Sequence, residues 1–129
     1  MAGIGFSILL VLHGLVHVWY VLLAGNIVAF KEEMGWKYSV SPLHMVLSDN
    51  GLRTIALIVY SSALLFFVIS GITFHFNKAF SLPALWLGVL VSSGAILLFF
   101  DWKFEMLVQK GLIGFLINIG LATFLLCVK

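Results

Sequence analysis

Charged side chains occupy a few short clusters along the chain and leave four uninterrupted apolar stretches between them. Every Lys, Arg, Asp and Glu lies in residues 31–53, at Lys78, in residues 101–110 or at Lys129. The apolar stretches cover approximately 4–30, 54–74, 79–100 and 111–128. Each is near the ~20 residues that span a hydrocarbon core of ~30 Å. Backbone N–H and C=O groups in such a core must pair within the segment, which selects helices. The pattern therefore predicts an all-α fold, a four-helix transmembrane bundle running up-down-up-down, as a single integral membrane domain over residues 1–129.

The polar punctuation refines the elements. The first stretch lacks a basic start and a clear small-residue cleavage site, so it reads as a retained helix rather than a signal peptide. Helix one is expected to end near Gly25–Phe30, and Lys31-Glu32-Glu33 marks its exit into a long connection, whose Trp36 and Tyr38 suit an interfacial segment between helices one and two. Ser48-Asp49-Asn50-Gly51 supplies capping side chains for helix two. His75-Phe76-Asn77-Lys78 is a tight link to helix three, with Ser81 as its expected cap and Pro83 in its first turn. His75 is expected at the interface. This topology puts both termini and Lys78 on one face, opposite Lys31, Lys37, Arg53, Lys103 and Lys110. The positive-inside rule then makes the long loops cytoplasmic and the termini external in a cell membrane.

Composition agrees with a lipid environment. Hydrophobic residues make up 63% and charged residues 9%, against roughly 25% charged in an ordinary soluble domain. The expected partners are membrane lipids and, for an accessory role, other membrane-protein subunits or a second copy of the chain. A net charge of +2 is too small to imply nucleic-acid binding. The single cysteine, Cys127, permits no intrachain disulfide and is expected to be buried and inert.

The candidate chemistry starts at His13 and His17. A spacing of four places both imidazoles on one helix face, one turn apart, with Tyr20 continuing that face. Such a pair can chelate a transition metal if other helices add ligands, and Asp101 and His44 lie on a common side to do so, with Glu105 a weaker candidate. The competing reading has both histidines neutral and hydrogen-bonded to neighbouring helices, with Gly14 allowing close approach. Haem fits poorly, because histidines four apart on one helix cannot be the two axial ligands of one haem. Arg53 and Asp101 sit at helix ends on a common side, where a guanidinium can hold a carboxylate. Asn118 lies inside helix four on a face shared with Gly111 and Gly114, which reads as a small-residue seam with one polar contact. Arg53, Asp101, Asn118 and Tyr20 are the candidates for a buried polar cluster. Ser92 and Ser93, like the other helical serines, can bond to their own helix and single out no nucleophile.

Taken together, several motifs resemble a family of small prokaryotic four-helix membrane proteins of uncharacterised function. They are His13-Gly14-Leu15-Val16-His17, Asp49-Asn50-Gly51-Leu52-Arg53, Phe100-Asp101-Trp102-Lys103-Phe104, and Lys110-Gly111-Leu112-Ile113-Gly114 leading to Ile117-Asn118. The resemblance implies a multipass prokaryotic membrane protein. Three functions are in competition: an accessory or interaction subunit of a membrane assembly, a metal- or quinone-associated redox protein or metal-dependent enzyme using His13 and His17, and a lipid or small-molecule binding module. Convergence of polar groups from different helices would favour a site over a purely structural role.

Overall fold

The computed structural model describes residues 2–28, 42–99 and 111–127. Within them the chain forms four α-helices, α1 (Ala2–Ala24), α2 (Asp49–Thr73), α3 (Lys78–Phe99) and α4 (Leu112–Cys127), together with a 3-10 turn at Pro42–Met45 and no strand. Three of them, α1, α2 and α3, are long and apolar enough to cross a membrane. The fourth is equally apolar but has 16 residues, roughly 24 Å at 1.5 Å per residue.

Local chemistry sets the ends. α1 stops at Ala24, short of the charged boundary, because Asn26 adopts a left-handed conformation with φ 60°. The Asn26 N–H donates to the Leu23 carbonyl at 3.1 Å, and the Ile27 N–H donates to the Leu22 carbonyl at 3.0 Å. That pair of bonds is the Schellman closure, and Asn is one of the few residues that tolerate its geometry. α2 starts at Asp49, where the Ser48 hydroxyl accepts the Gly51 N–H at 3.3 Å. The acidic Asp49 also complements the positive end of the helix dipole. For α3 the cap is Asn77 rather than Ser81, since the Asn77 Oδ1 accepts the Phe80 N–H at 3.1 Å. Ser81 and Pro83 accordingly fall inside the helix. Cys127 is exposed on the last turn of α4, contrary to the buried thiol expected, because the inward positions there are taken by Leu121 and Leu125.

Ser81 finds a different use. Its hydroxyl donates to the Ser70 carbonyl at 2.9 Å while the Ser70 hydroxyl donates to the Ser81 carbonyl at 3.0 Å. This reciprocal clasp fastens α2 to α3 just below their turn, with both serines fully buried. At the turn itself, exposed His75 packs its ring edge-on to Phe74, and the Lys78 ammonium lies over the Phe74 ring at 5.8 Å from its centroid.

Consecutive helices are antiparallel. Gly3 faces His75 at one end of the α1–α2 pair, and Tyr20 stacks on Tyr60 toward the other, with centroids 4.8 Å apart. α4 lies against both α3 and α1, with Phe124 touching Phe6 at a centroid distance of 4.6 Å and Asn118 bonded to residues of both helices. The four helices thus close into an up-down-up-down bundle. α1 and α2 are in close contact at Gly71, where an added methyl would lie 2.9 Å from the Ser7 carbonyl oxygen and 2.8 Å from Val11 Cγ2.

Two apolar clusters fill the bundle. Leu23, Leu52, Ala56, Tyr60 and Phe99 pack toward the Tyr20 end, and Leu10, Phe67, Leu85, Val89 and Leu121 toward the Gly3 end. Between these clusters lie four buried polar side chains, His13, His17, Ser92 and Asn118.

Candidate functional site

One backbone carbonyl orients the whole polar layer. His17 Nδ1 lies 3.1 Å from the carbonyl oxygen of His13, one turn back on the same helix. A carbonyl only accepts, so Nδ1 carries the proton and, in the neutral ring, Nε2 is the acceptor. The Ser92 hydroxyl of α3 lies 2.7 Å from that Nε2 and must therefore donate to it. Ser92 Oγ in turn accepts from Asn118 Nδ2 of α4 at 2.9 Å, and the second Nδ2 proton goes to Ser93 Oγ at 3.1 Å. The amide is thereby fixed with its Oδ1 toward His13 Nε2, 2.8 Å away, so that nitrogen is the donor. With both rings neutral, the histidines take opposite tautomers, His13 protonated at Nε2 and His17 at Nδ1.

Packing holds this arrangement in place. Phe67 of α2 stands edge-on to His13 with centroids 4.6 Å apart and lies 5.7 Å from His17. The His13 and His17 rings are mutually perpendicular at 5.5 Å. Gly14 lets α2 come close behind them, since an added methyl would meet Phe67 Cβ at 3.0 Å and the Leu64 carbonyl at 3.2 Å. Three helices thus contribute polar groups to the layer and the fourth closes it with an aromatic ring. In an apolar interior each unsatisfied polar group is costly, so the closed chain of bonds favours one helix register over others.

The outer edge of the layer borders a cleft of about 230 Å³ between α1 and α4. His13, His17 and Tyr20 line it from α1, and Gly114 and Ile117 from α4, with Gly111 just ahead of α4 and Ile96 behind. Glycine creates the space. Gly114 leaves room beside His13 Cε1, and Gly111 beside the Tyr20 hydroxyl, which would lie 3.3 Å from a methyl placed there. Gly111 also has φ 98°, which strains any L side chain. Val16 and Ile113, which line it, are half-exposed, so the cleft reaches the outer surface of the bundle between α1 and α4.

The structure brings together three of the residues singled out in the sequence, His13, His17 and Asn118, and places Tyr20 at the edge of the same site. Arg53 is elsewhere, donating from Nη1 to Asn26 Oδ1 at 3.0 Å at the end of the bundle. Asp101 and the side chain of His44 lie outside the described residues, as do Glu105 and the Trp36 and Tyr38 part of the interfacial segment. Among the described residues no three His, Cys, Asp or Glu side chains gather to hold a metal. The Nε2 atoms of both histidines are engaged, that of His13 by Asn118 and that of His17 by Ser92. Ser92 was not distinguishable from the other helical serines in the sequence, because a serine that back-bonds to its helix and one that crosses to another look the same there.

Compared with protein-family models, curated proteins and solved structures, the chain matches none of them. Of the motifs singled out in the sequence, His13 to His17 and the stretch from Gly111 to Ile117 flank the cleft.

Proposed function

We propose that this chain is a multipass protein of a prokaryotic cell membrane that binds a lipid-soluble small molecule in the α1–α4 cleft. The observation that carries the reading is the cleft of about 230 Å³ beside a polar layer, bordered by two imidazoles and a tyrosine yet reaching the outer surface of the bundle between helices. In a bilayer a ligand partitioned into the acyl chains reaches such a mouth without crossing the polar interface. Apolar walls with a small number of oriented polar groups are the usual composition of a small-molecule site. In this reading α4 completes a fourth crossing, the chain termini face outward, and the basic loops face the cytoplasm.

The test is retention. Protein purified in mild detergent is examined by native mass spectrometry beside a Gly114→Leu variant, whose side chain would grow into the cleft. A lipid-soluble adduct that survives on the wild type and is lost from the variant supports the reading. The same adduct pattern on both proteins contradicts it.

An accessory role in a larger membrane assembly is the second reading. It is favoured by Gly94 on α3 and Gly120 on α4, which are exposed and have no atom near the site of an added methyl. Small outward residues let another helix approach closely. Replacing both by Leu would leave the isolated bundle intact and reduce the size of a complex extracted from native membranes.

A further inference from the structure

His13 has one ring nitrogen more than the network uses. The chain of bonds assigns its proton to Nε2, facing Asn118, which leaves Nδ1 as a bare lone pair. No described residue bonds to Nδ1. Among the described residues, Ser7 Oγ is the sealed side-chain nitrogen or oxygen without a hydrogen-bond partner. Nδ1 is likewise unbonded, and His13 borders the cleft, with Cε1, the ring carbon next to Nδ1, on the side of Gly114.

Resting on the cleft reading above, we propose that the ligand is a hydrogen-bond donor: a ring-sized, lipid-soluble alcohol or phenol whose hydroxyl donates to His13 Nδ1. Size and polarity support this independently. A cavity of about 150 Å³ accommodates benzene, so about 230 Å³ takes one ring with short substituents. A ketone or an ether of that size brings only acceptors and would set a lone pair against a lone pair at Nδ1. A water molecule needs two to four polar partners to be held, and Val16, Ile96, Ile113 and Ile117 offer none along most of the wall. The cleft extends from His13 to Tyr20, seven positions along α1, which is about 10 Å of helix. The hydroxyl therefore sits at the inner end and the ring's substituents run toward Gly111. His17 is not a second acceptor for the ligand, because its Nε2 is taken by Ser92.

The experiment uses the full chain in detergent micelles, labelled with ¹⁵N-histidine, and a matched pair of probes, a 4-alkylphenol and its methyl ether. Without probe, His13 is expected as the Nε2–H tautomer and His17 as the Nδ1–H tautomer. The phenol should move the His13 Nδ1 resonance and bind at least about tenfold more tightly than the ether, the cost of leaving one buried acceptor unpaired. It should leave His17 unmoved. Gly114→Leu should abolish the shift. Gly114→Ala, whose methyl would sit in ordinary contact at 3.6 Å from Ile96 Cδ1 and 3.9 Å from His13 Cε1, should keep the fold and the starting tautomers. Equal binding of phenol and ether, both blocked by Gly114→Leu, overturns the donor assignment while the cleft reading stands. Binding of neither probe, or binding of both that Gly114→Leu does not affect, overturns the cleft reading and this inference with it.

Discussion

At the residue scale, single atoms decide what the interior tolerates. Asn118 makes three interhelical hydrogen bonds, to His13, Ser92 and Ser93. Interhelical bonds in membrane proteins average about 0.6 kcal/mol each, so Asn118→Leu should cost about 2 kcal/mol in a detergent unfolding titration. It should also release the tautomer preference of both histidines. Ser7 behaves in the opposite sense. Its hydroxyl is sealed and makes no hydrogen bond among the described residues. Ser7→Ala removes a desolvated group and should raise stability by about 1 kcal/mol, seen as a higher Tm. The histidine pair and Asn118 were legible in the sequence as polar groups on inward helix faces. Their hydrogen-bond direction was not, because it follows from which carbonyl, hydroxyl and amide are brought together across sequence separations of 75 and 105 residues.

At the element scale, glycines do two opposite jobs. Gly71 permits contact, and Gly71→Ala forces a methyl against the Ser7 backbone carbonyl, which a side-chain adjustment cannot relieve. A loss of about 1–3 kcal/mol is expected, while Gly120→Ala, facing open space, should be neutral; thermal melts of the two variants check both. Gly111 and Gly114 instead hold space open. The sequence marks them as a small-residue seam, which fits their position on the face of Asn118, but composition does not distinguish a seam that brings helices together from one that leaves a cleft. Helix ends show a similar division. Ser48 was readable as a cap, since its neighbours are polar and an apolar run follows. The end of α1 was readable only as far as the stretch Gly25–Phe30, because the residue that terminates it is a single αL asparagine within an apolar sequence. Arg53 donates to Asn26, whose role in the α1 terminus carries no charge signal, while Asp101, its expected carboxylate partner, lies outside the described residues.

On the scale of the whole molecule, the number of helices and their alternation follow from charge spacing alone, since so few arrangements satisfy backbone groups in lipid. Orientation is a separate prediction and rests on the basic loops. In a Cys127→Ser background, Phe76→Cys at the exposed α2–α3 turn should react with a membrane-impermeant thiol reagent on intact cells. Val46→Cys, exposed on the opposite side, should react only after permeabilisation. The reverse pattern would invert the orientation and leave the bundle unchanged. The polar layer between two apolar clusters gives the molecule a fixed register, and in that register Gly114 of α4 faces His13 and Gly111, just ahead of α4, faces Tyr20.

The most direct measurement of the proposed ligand site is photocrosslinking in reconstituted bilayers with a small photoreactive phenol, its attachment sites read by peptide mass spectrometry. Adducts concentrated on Val16, Ile113 and Ile117, and lost in Gly114→Leu, are expected if the α1–α4 cleft binds molecules from the lipid phase. Adducts spread evenly over outward residues such as Leu12, Leu90 and Leu116, and unchanged by that substitution, would contradict it.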